Sequence, residues 1–354
     1  MSFVYADNLA LSKVLMSKRN PSGKYSLNGT DVSYEALNHT LGENIKELTH
    51  TNGKFDYYRW SENKNTVFQL LSQTLNDVMP KNVLDTYGMF ADVQTVAQGD
   101  TVIFKKKIGQ LRAKQFVTRV ALAGRYEVFE LADEKFEIKT TAYGGAARVG
   151  IEEFLDGRVQ WSDYLSIINE GMSEAVYKEI AKALKIAIAQ FPDTNKVQAA
   201  TFDETEFDRL IQTISIYGNP VIYCTLEAAM TLLPSNEWIS DGMKNDLWAR
   251  GYFTKYKGTP VVVLPQSFTD ETNATKVIDP AYIYIFPSAA AKPVKIVFEG
   301  QTLVKEFENR DWSTEFQTYQ KFGVGILTTN NLAVFKNTSL VTANVPGPGY
   351  DQAF

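Results

Sequence analysis

Apolar positions are most regular between Ser162 and Gln190, where they fall at Leu165, Ile168, Met172, Val176, Ile180, Leu184 and Ile188. Steps of three and four lay these residues along one stripe of an α-helix. Glu170, Glu174, Lys178, Lys182 and Lys185 take the opposite face. Ser162 or Asp163 can cap the start, the late lysines suit the negative end of the helix dipole, and Pro192 stops the run. At 1.5 Å per residue the result is a rod of roughly 40 Å, which needs a broad apolar surface to lie against.

A shorter amphipathic helix is expected from Asn65 to Val78, with Val67, Leu70, Leu71 and Leu75 on one side and Pro80 as its stop. Between the two helices the period changes to two. Strand-like alternation occurs at Val102 and Phe104, at Phe116 to Val120 and at Tyr126 to Phe129, and Phe136, Ile138 and Thr140 alternate with Glu137, Lys139 and Thr141. Charge is segregated along this stretch. No acid lies between Asp100 and Glu127, while Lys105, Lys106, Lys107, Arg112, Lys114, Arg119 and Arg125 all do, and the return carries Glu127, Glu130, Asp133, Glu134 and Glu137. Such a hairpin is either a solvated charged ribbon or an element that reaches an acidic neighbour, for which Glu152, Glu153 and Asp156 are one docking site.

After Pro192 the texture is α/β. Asp203 with Glu206 forms a capping-box pattern ahead of Phe207, Leu210, Ile211 and Ile214. Gly218-Asn219-Pro220 turns into a strand at Val221–Thr225, followed by a short helix through Leu226–Leu233. Apolar runs bracketed by prolines at Pro260–Pro265 and Tyr282–Pro287 read as core strands, with a polar loop at Asp270–Lys276. From Ala291 the pattern is again extended. Val294, Ile296 and Phe298 share a face, as do Phe316, Phe322, Val324 and Ile326, and Asn330-Asn331 turns the chain into Leu332–Phe335. Residues 1–60, rich in polar and turn-forming types, read as an arm whose short apolar patches close no core alone.

Composition narrows the chemistry. The chain has 354 residues, 44% of them apolar and 22% charged, as in an ordinary globular protein, and is long enough for two domains. A net charge of −5 argues against a dedicated nucleic-acid binder. No apolar run is long enough to cross a bilayer, and the N-terminal stretch lacks the basic cluster and apolar core of a signal peptide. Cys224 is the single cysteine and sits in an apolar run, so it reads as a core residue. The two histidines, His39 and His50, both lie in the arm, which leaves neither folded domain a histidine base, triad or zinc ligand. Phosphate-loop, Gly-x-Ser-x-Gly and EF-hand patterns are absent, and Glu152-Glu153 reads as surface charge. No catalytic, cofactor or metal residue is expected, and the chain is not expected to be an enzyme.

Three stretches, in their order and spacing, carry a family likeness: GDTVIFKKKIGQLRAKQFV…FEIKTTAYGGAARVGIEEF from Gly99 to Phe154, GYFTKYKGTPVVVLPQS from Gly251 to Ser267, and FQTYQKFGVGIL from Phe316 to Leu327. With the long helix between them, the chain resembles the Hong Kong 97-type major capsid proteins of tailed bacteriophages. The resemblance implies an α+β fold with an N-terminal arm (1–60), a helix and connection (61–98), an extended β-hairpin loop (99–150) and a peripheral domain built on a long spine helix (151–194). An inserted α/β axial domain (195–290), closing peripheral strands (291–344) and a flexible tail (345–354) complete it.

It further implies a head protein that self-assembles as hexamers and pentamers into an icosahedral shell around packaged double-stranded DNA, without sequence-specific binding and without a membrane. Its place would be the virion, after assembly in the host cytoplasm. Portal and decoration proteins are expected partners, and the short arm, which leaves little room for a fused scaffold, implies a separate scaffold protein or none. Some members crosslink a loop lysine to a neighbour's asparagine; Lys105, Lys106, Lys107 and Lys114 share only the location. Lys105, Lys106, Lys107, Arg112, Lys114 and Arg119 would then meet a neighbouring subunit, with Glu152, Glu153 and Asp156 as the complement. Gly171 lies inside the spine helix, where glycine costs about 1 kcal/mol relative to alanine. It marks a hinge, a close backbone approach, or a helix that starts after it. The rival readings are an encapsulin-type nanocompartment and an α/β enzyme with a β-rich second domain.

Overall fold

The computed structural model describes residues 4–16, 25–27, 30–106, 134–150, 161–232, 241–268, 272–273, 275–288, 292–308, 313–327 and 331–340. The chain divides into two compact units. The first comprises Met1–Val102, Ile138–Val176 and Ile296–Val324, and the second Ile103–Glu137, Tyr177–Lys295 and Gly325–Phe354.

In the first unit, helices α1 (Tyr5–Leu15), α2 (Tyr34–Thr49) and α3 (Tyr57–Tyr87) pack together, with the small hairpins β1–β2 (Tyr25–Leu27, Thr30–Val32) and β3–β4 (His50–Thr51, Lys54–Phe55) between them. The polar composition of residues 1–60 hides this cluster. Leu37, Leu41 and Ile45 recur four apart on α2, behind the N-cap Ser33, and are buried. The Asn44 amide donates to Asn8 Oδ1 at 2.7 Å, and the Tyr5 hydroxyl donates to Gln73 Oε1 at 2.9 Å. The second helix expected from sequence is longer than its signals imply. Asp56 caps α3, accepting from the amides of Tyr58 and Arg59, and the helix runs through Pro80 instead of stopping there. An interior proline costs about 3 kcal/mol. Burial of Leu75, Met79, Val83 and Tyr87, four apart on one side of α3, offsets that cost.

The first unit also holds a four-stranded sheet in the order β5 (Ala91–Val96), β14 (Val294–Glu308), β15 (Ser313–Ile326), β8 (Thr141–Gly150). β8 runs antiparallel to β15, from Thr141 against Phe322 to Gly150 against Ser313. Tyr143 stacks on Phe322 with ring centroids 4.2 Å apart, and Phe298 and Phe322 are fully buried. The amide of Val304 donates to Ser72 Oγ, which ties α3 to this sheet.

The long helix, α4, covers Trp161–Ile188. Its 28 residues span about 42 Å at 1.5 Å per residue. Ser162 and Asp163 lie within this span. Met172, Val176, Ile180, Leu184 and Ile188 are buried as the period requires, and Glu170, Lys178 and Lys182 are exposed. Lys185 departs from the expected polar face: it is buried and pairs with Asp279 at 3.8 Å. It is four residues from Ala181 and three from Ile188, both buried, so helix geometry carries it to the margin of the apolar stripe.

The second unit is built on a six-stranded sheet in the order β11 (Lys255–Tyr256), β12 (Thr259–Val263), β10 (Pro220–Cys224), β13 (Tyr282–Pro287), β16 (Ala333–Asn337), β9 (Lys196–Ala199). β10–β12 and β16–β9 are parallel pairs, while β13 runs antiparallel to β10 and β16. Asp203 caps α5 (Glu204–Ser215), accepting from the amides of Thr205 and Glu206. The Glu206 carboxylate pairs with Arg209 at 2.8 Å. Phe207, Leu210 and Ile214 of α5, with Ala228 and Ala229 of α6 (Leu226–Thr231), form one core with Ile222, Cys224, Ile283, Ile285 and Phe335. β16, grouped by sequence with the closing strands of 291–344, lies between β13 and β9 in this sheet. Its five residues are all buried, the mark of a strand covered on both faces. Helix α7 (Asp241–Arg250) follows α6 in sequence.

Candidate assembly surfaces

The hairpin is closed at its base by β6 (Ile103–Lys106) and β7 (Glu134–Glu137), which pair antiparallel. The register sets Ile103 against Glu137, Phe104 against Phe136, Lys105 against Lys135 and Lys106 against Glu134. Phe104 is buried beneath Lys295, whose Nζ is 5.2 Å from the ring centroid. Of the residues expected to meet a neighbour, Lys105 and Lys106 lie on this ladder. Lys107, Arg112, Lys114, Arg119, Glu152, Glu153 and Asp156 lie outside the described residues, as do Phe116–Val120, Tyr126–Phe129 and the tail after Asn344. The ladder ends at Glu137, but the expected alternation continues past it, with Phe136, Ile138 and Thr140 shielded and Glu137, Lys139 and Thr141 exposed as the chain enters β8.

Gly171 lies in the interior of α4 and is exposed, and a Cβ built on it meets nothing within 4 Å. Among the described residues, neither a close backbone approach nor a later helix start explains this glycine. Ile167 and Ile186 are more than half exposed on the same helix.

The second unit exposes large apolar side chains that the hydrophobic periodicity does not signal. Trp248 on α7 is 94% exposed, and Leu226 and Met230 on α6 are also exposed. Met230 Cε is 3.7 Å from where a Cβ on Gly251 would stand, which brings the end of α7 beside α6. The one sequence signal was a lone tryptophan in a helix without a clear apolar stripe, DGMKNDLWAR. Cys224 is sealed in the sheet core, where burial pushes its thiol up to about 12. Among the described residues no helix is long and apolar enough to cross a membrane, and no group of three or more His, Cys, Asp or Glu is placed to hold a metal ion.

A family model described as "SPbeta prophage-derived putative capsid protein YonB" matches residues 25–336. The chain belongs to this capsid protein family. It is a structural, shell-forming protein of the phage major capsid type, and its place is the viral capsid. No curated protein sequence matches it. The mature capsid of bacteriophage PhiM1 is similar in structure, with a TM-score of 0.50 at 11% identity, covering 73% of this chain and 87% of that one. That likeness shows the fold, an α+β capsid fold of the Hong Kong 97 type. A phage-related protein of Bordetella bronchiseptica RB50 matches at 16% identity and TM-score 0.48, covering 78% of this chain and 98% of that one. The holo-SrpI encapsulin of Synechococcus elongatus PCC 7942 matches at 10% identity and TM-score 0.42, covering 72% and 87%.

Proposed function

We propose that this chain is the repeating tile of an icosahedral phage head, arranged as pentamers and hexamers around packaged double-stranded DNA. The observation that carries the proposal is the capsid family match over residues 25–336, nearly the whole chain. The net charge of −5 fits a shell that encloses DNA without gripping its sequence. Assembly takes place in the host cytoplasm with a separate scaffold protein, a portal and a decoration protein. The tile catalyses no reaction and holds no cofactor. The second unit acts as the axial domain, and its exposed Trp248, Leu226 and Met230 supply apolar contact near the symmetry axes.

The hairpin overlaps an adjacent subunit, with Lys105, Lys106, Lys107, Arg112, Lys114 and Arg119 facing its Glu152, Glu153 and Asp156. One exposed ion pair is worth only about 0–1 kcal/mol, but a closed shell repeats it in every copy. Reversing Lys105–Lys107 to glutamates leaves the subunit folded and impairs shell closure. Electron microscopy of the purified protein, with assay of nuclease-protected DNA in particles from the producing host, tests the whole reading. Closed DNA-containing shells are expected. A chain that stays monomeric at every concentration overturns it, and closed shells loaded with protein instead of DNA identify a nanocompartment.

A further inference from the structure

The two ends of the hairpin excursion meet at one side chain. The Gly99 amide, on the outgoing end, donates to Glu299 Oε1 at 2.9 Å, and the Thr140 hydroxyl, on the returning end, donates to Glu299 Oε2. Lys321 Nζ of the neighbouring strand β15 stands 3.5 Å from Oε1, and the Glu299 side chain is only 8% exposed. All four residues belong to the first unit. Gly99 comes just before Val102, where the chain leaves that unit, and Thr140 just after Ile138, where it returns.

The backbone around this carboxylate is shaped to let both ends through. Gly99 has φ +90°, a conformation that L side chains rarely adopt. Gly300, next to Glu299, has φ +71°, and a Cβ on it would stand 3.3 Å from the Gln98 Cβ, so the outgoing end passes close over β14. The returning end crosses β15 at Gly323, where a Cβ would lie 2.6 Å from the Lys139 carbonyl oxygen and 2.9 Å from the Ile138 side chain. Only the absence of a side chain permits that approach.

We propose that the Glu299 carboxylate is a latch, a positioning residue that ties both ends of the hairpin to one point on β14 and presents it to a neighbouring copy in one pose. A carboxylate suits the task because its two oxygens accept from two donors at once, and hydrogen bonds to a charged acceptor are stronger than neutral ones. An apolar residue of similar size would hold neither end. The proposal rests on the reading that the hairpin engages another copy of the chain.

The test follows amide hydrogen exchange by mass spectrometry in the full-length subunit, over 97–101 and 138–142, with 282–287 in the other unit as reference. Thr140→Val removes one hydroxyl with little change of shape. It is expected to speed exchange at 97–101 about tenfold, although the substitution is on the opposite end. Thr140→Ser is expected to restore the protection, Glu299→Gln to loosen both ends, and 282–287 to stay unchanged throughout. Thr140→Val is also expected to lower the yield of closed shells in electron micrographs. Wild-type exchange at 97–101 in Thr140→Val overturns the latch, and so do normal shells despite faster exchange. Failure of the wild type itself to form shells removes the shell reading and leaves the exchange result to decide the latch.

Discussion

At Glu299 the Thr140 hydroxyl and then the Gly99 amide favour the charged form, partial burial opposes it, and the Lys321 ammonium adds to the first two. The balance holds the carboxyl below the usual carboxylate range. A folded-state value below the unfolded one gives stability that is complete above the unfolded value and is lost as pH falls through the folded one. The wild type is therefore expected to be more stable than Glu299→Gln near neutrality, and the gap to close as pH drops below about 4. Thermal melting of both proteins across pH checks this, and a gap that widens in acid would contradict it. No feature of the sequence singles out Glu299, because its partners are remote in the chain: Gly99 is 200 residues away and Thr140 is 159. Cys224 is the opposite case, since its own apolar neighbours already announced burial.

Elements were legible where one stretch carried both its period and its boundary signals. Helix α5 is such a case, with Asp203 as cap and Phe207, Leu210 and Ile214 buried as spaced. Helix α4 was legible in span but not in every residue. Lys185→Met is expected to cost about 3 kcal/mol, because it leaves Asp279 buried without its cation. Chemical denaturation measures that loss, and a neutral outcome would mean that Asp279 is satisfied by its other partners. Gly171→Ala acts the other way. With open space around the new Cβ, it is expected to raise stability by roughly 0.5–1 kcal/mol. If α4 bends at Gly171 as the shell expands, the same substitution slows expansion, as time-resolved scattering of assembled particles would detect. Normal expansion with unchanged helix curvature would remove the hinge.

On the scale of the molecule, the proposed shell would put the exposed apolar residues to use as surfaces between copies. Trp248→Lys is expected to leave the melting temperature of the isolated subunit within about 2 °C, since the side chain is 94% exposed, and to reduce shell yield sharply. Sedimentation and micrographs of the variant check both parts, and undiminished shells would take Trp248 out of the interface.

The sequence by itself determined the local periods, the long helix, the charged hairpin base and the α/β texture after Pro192, because each of these is written within a single stretch of neighbours. Only the tertiary structure decided that β16 joins the six-stranded sheet, that the polar N-terminal residues pack as helices on α3, and that the ends of the hairpin close on Glu299. Those outcomes depend on which distant surfaces meet, and neither periodicity nor capping encodes a partner's address.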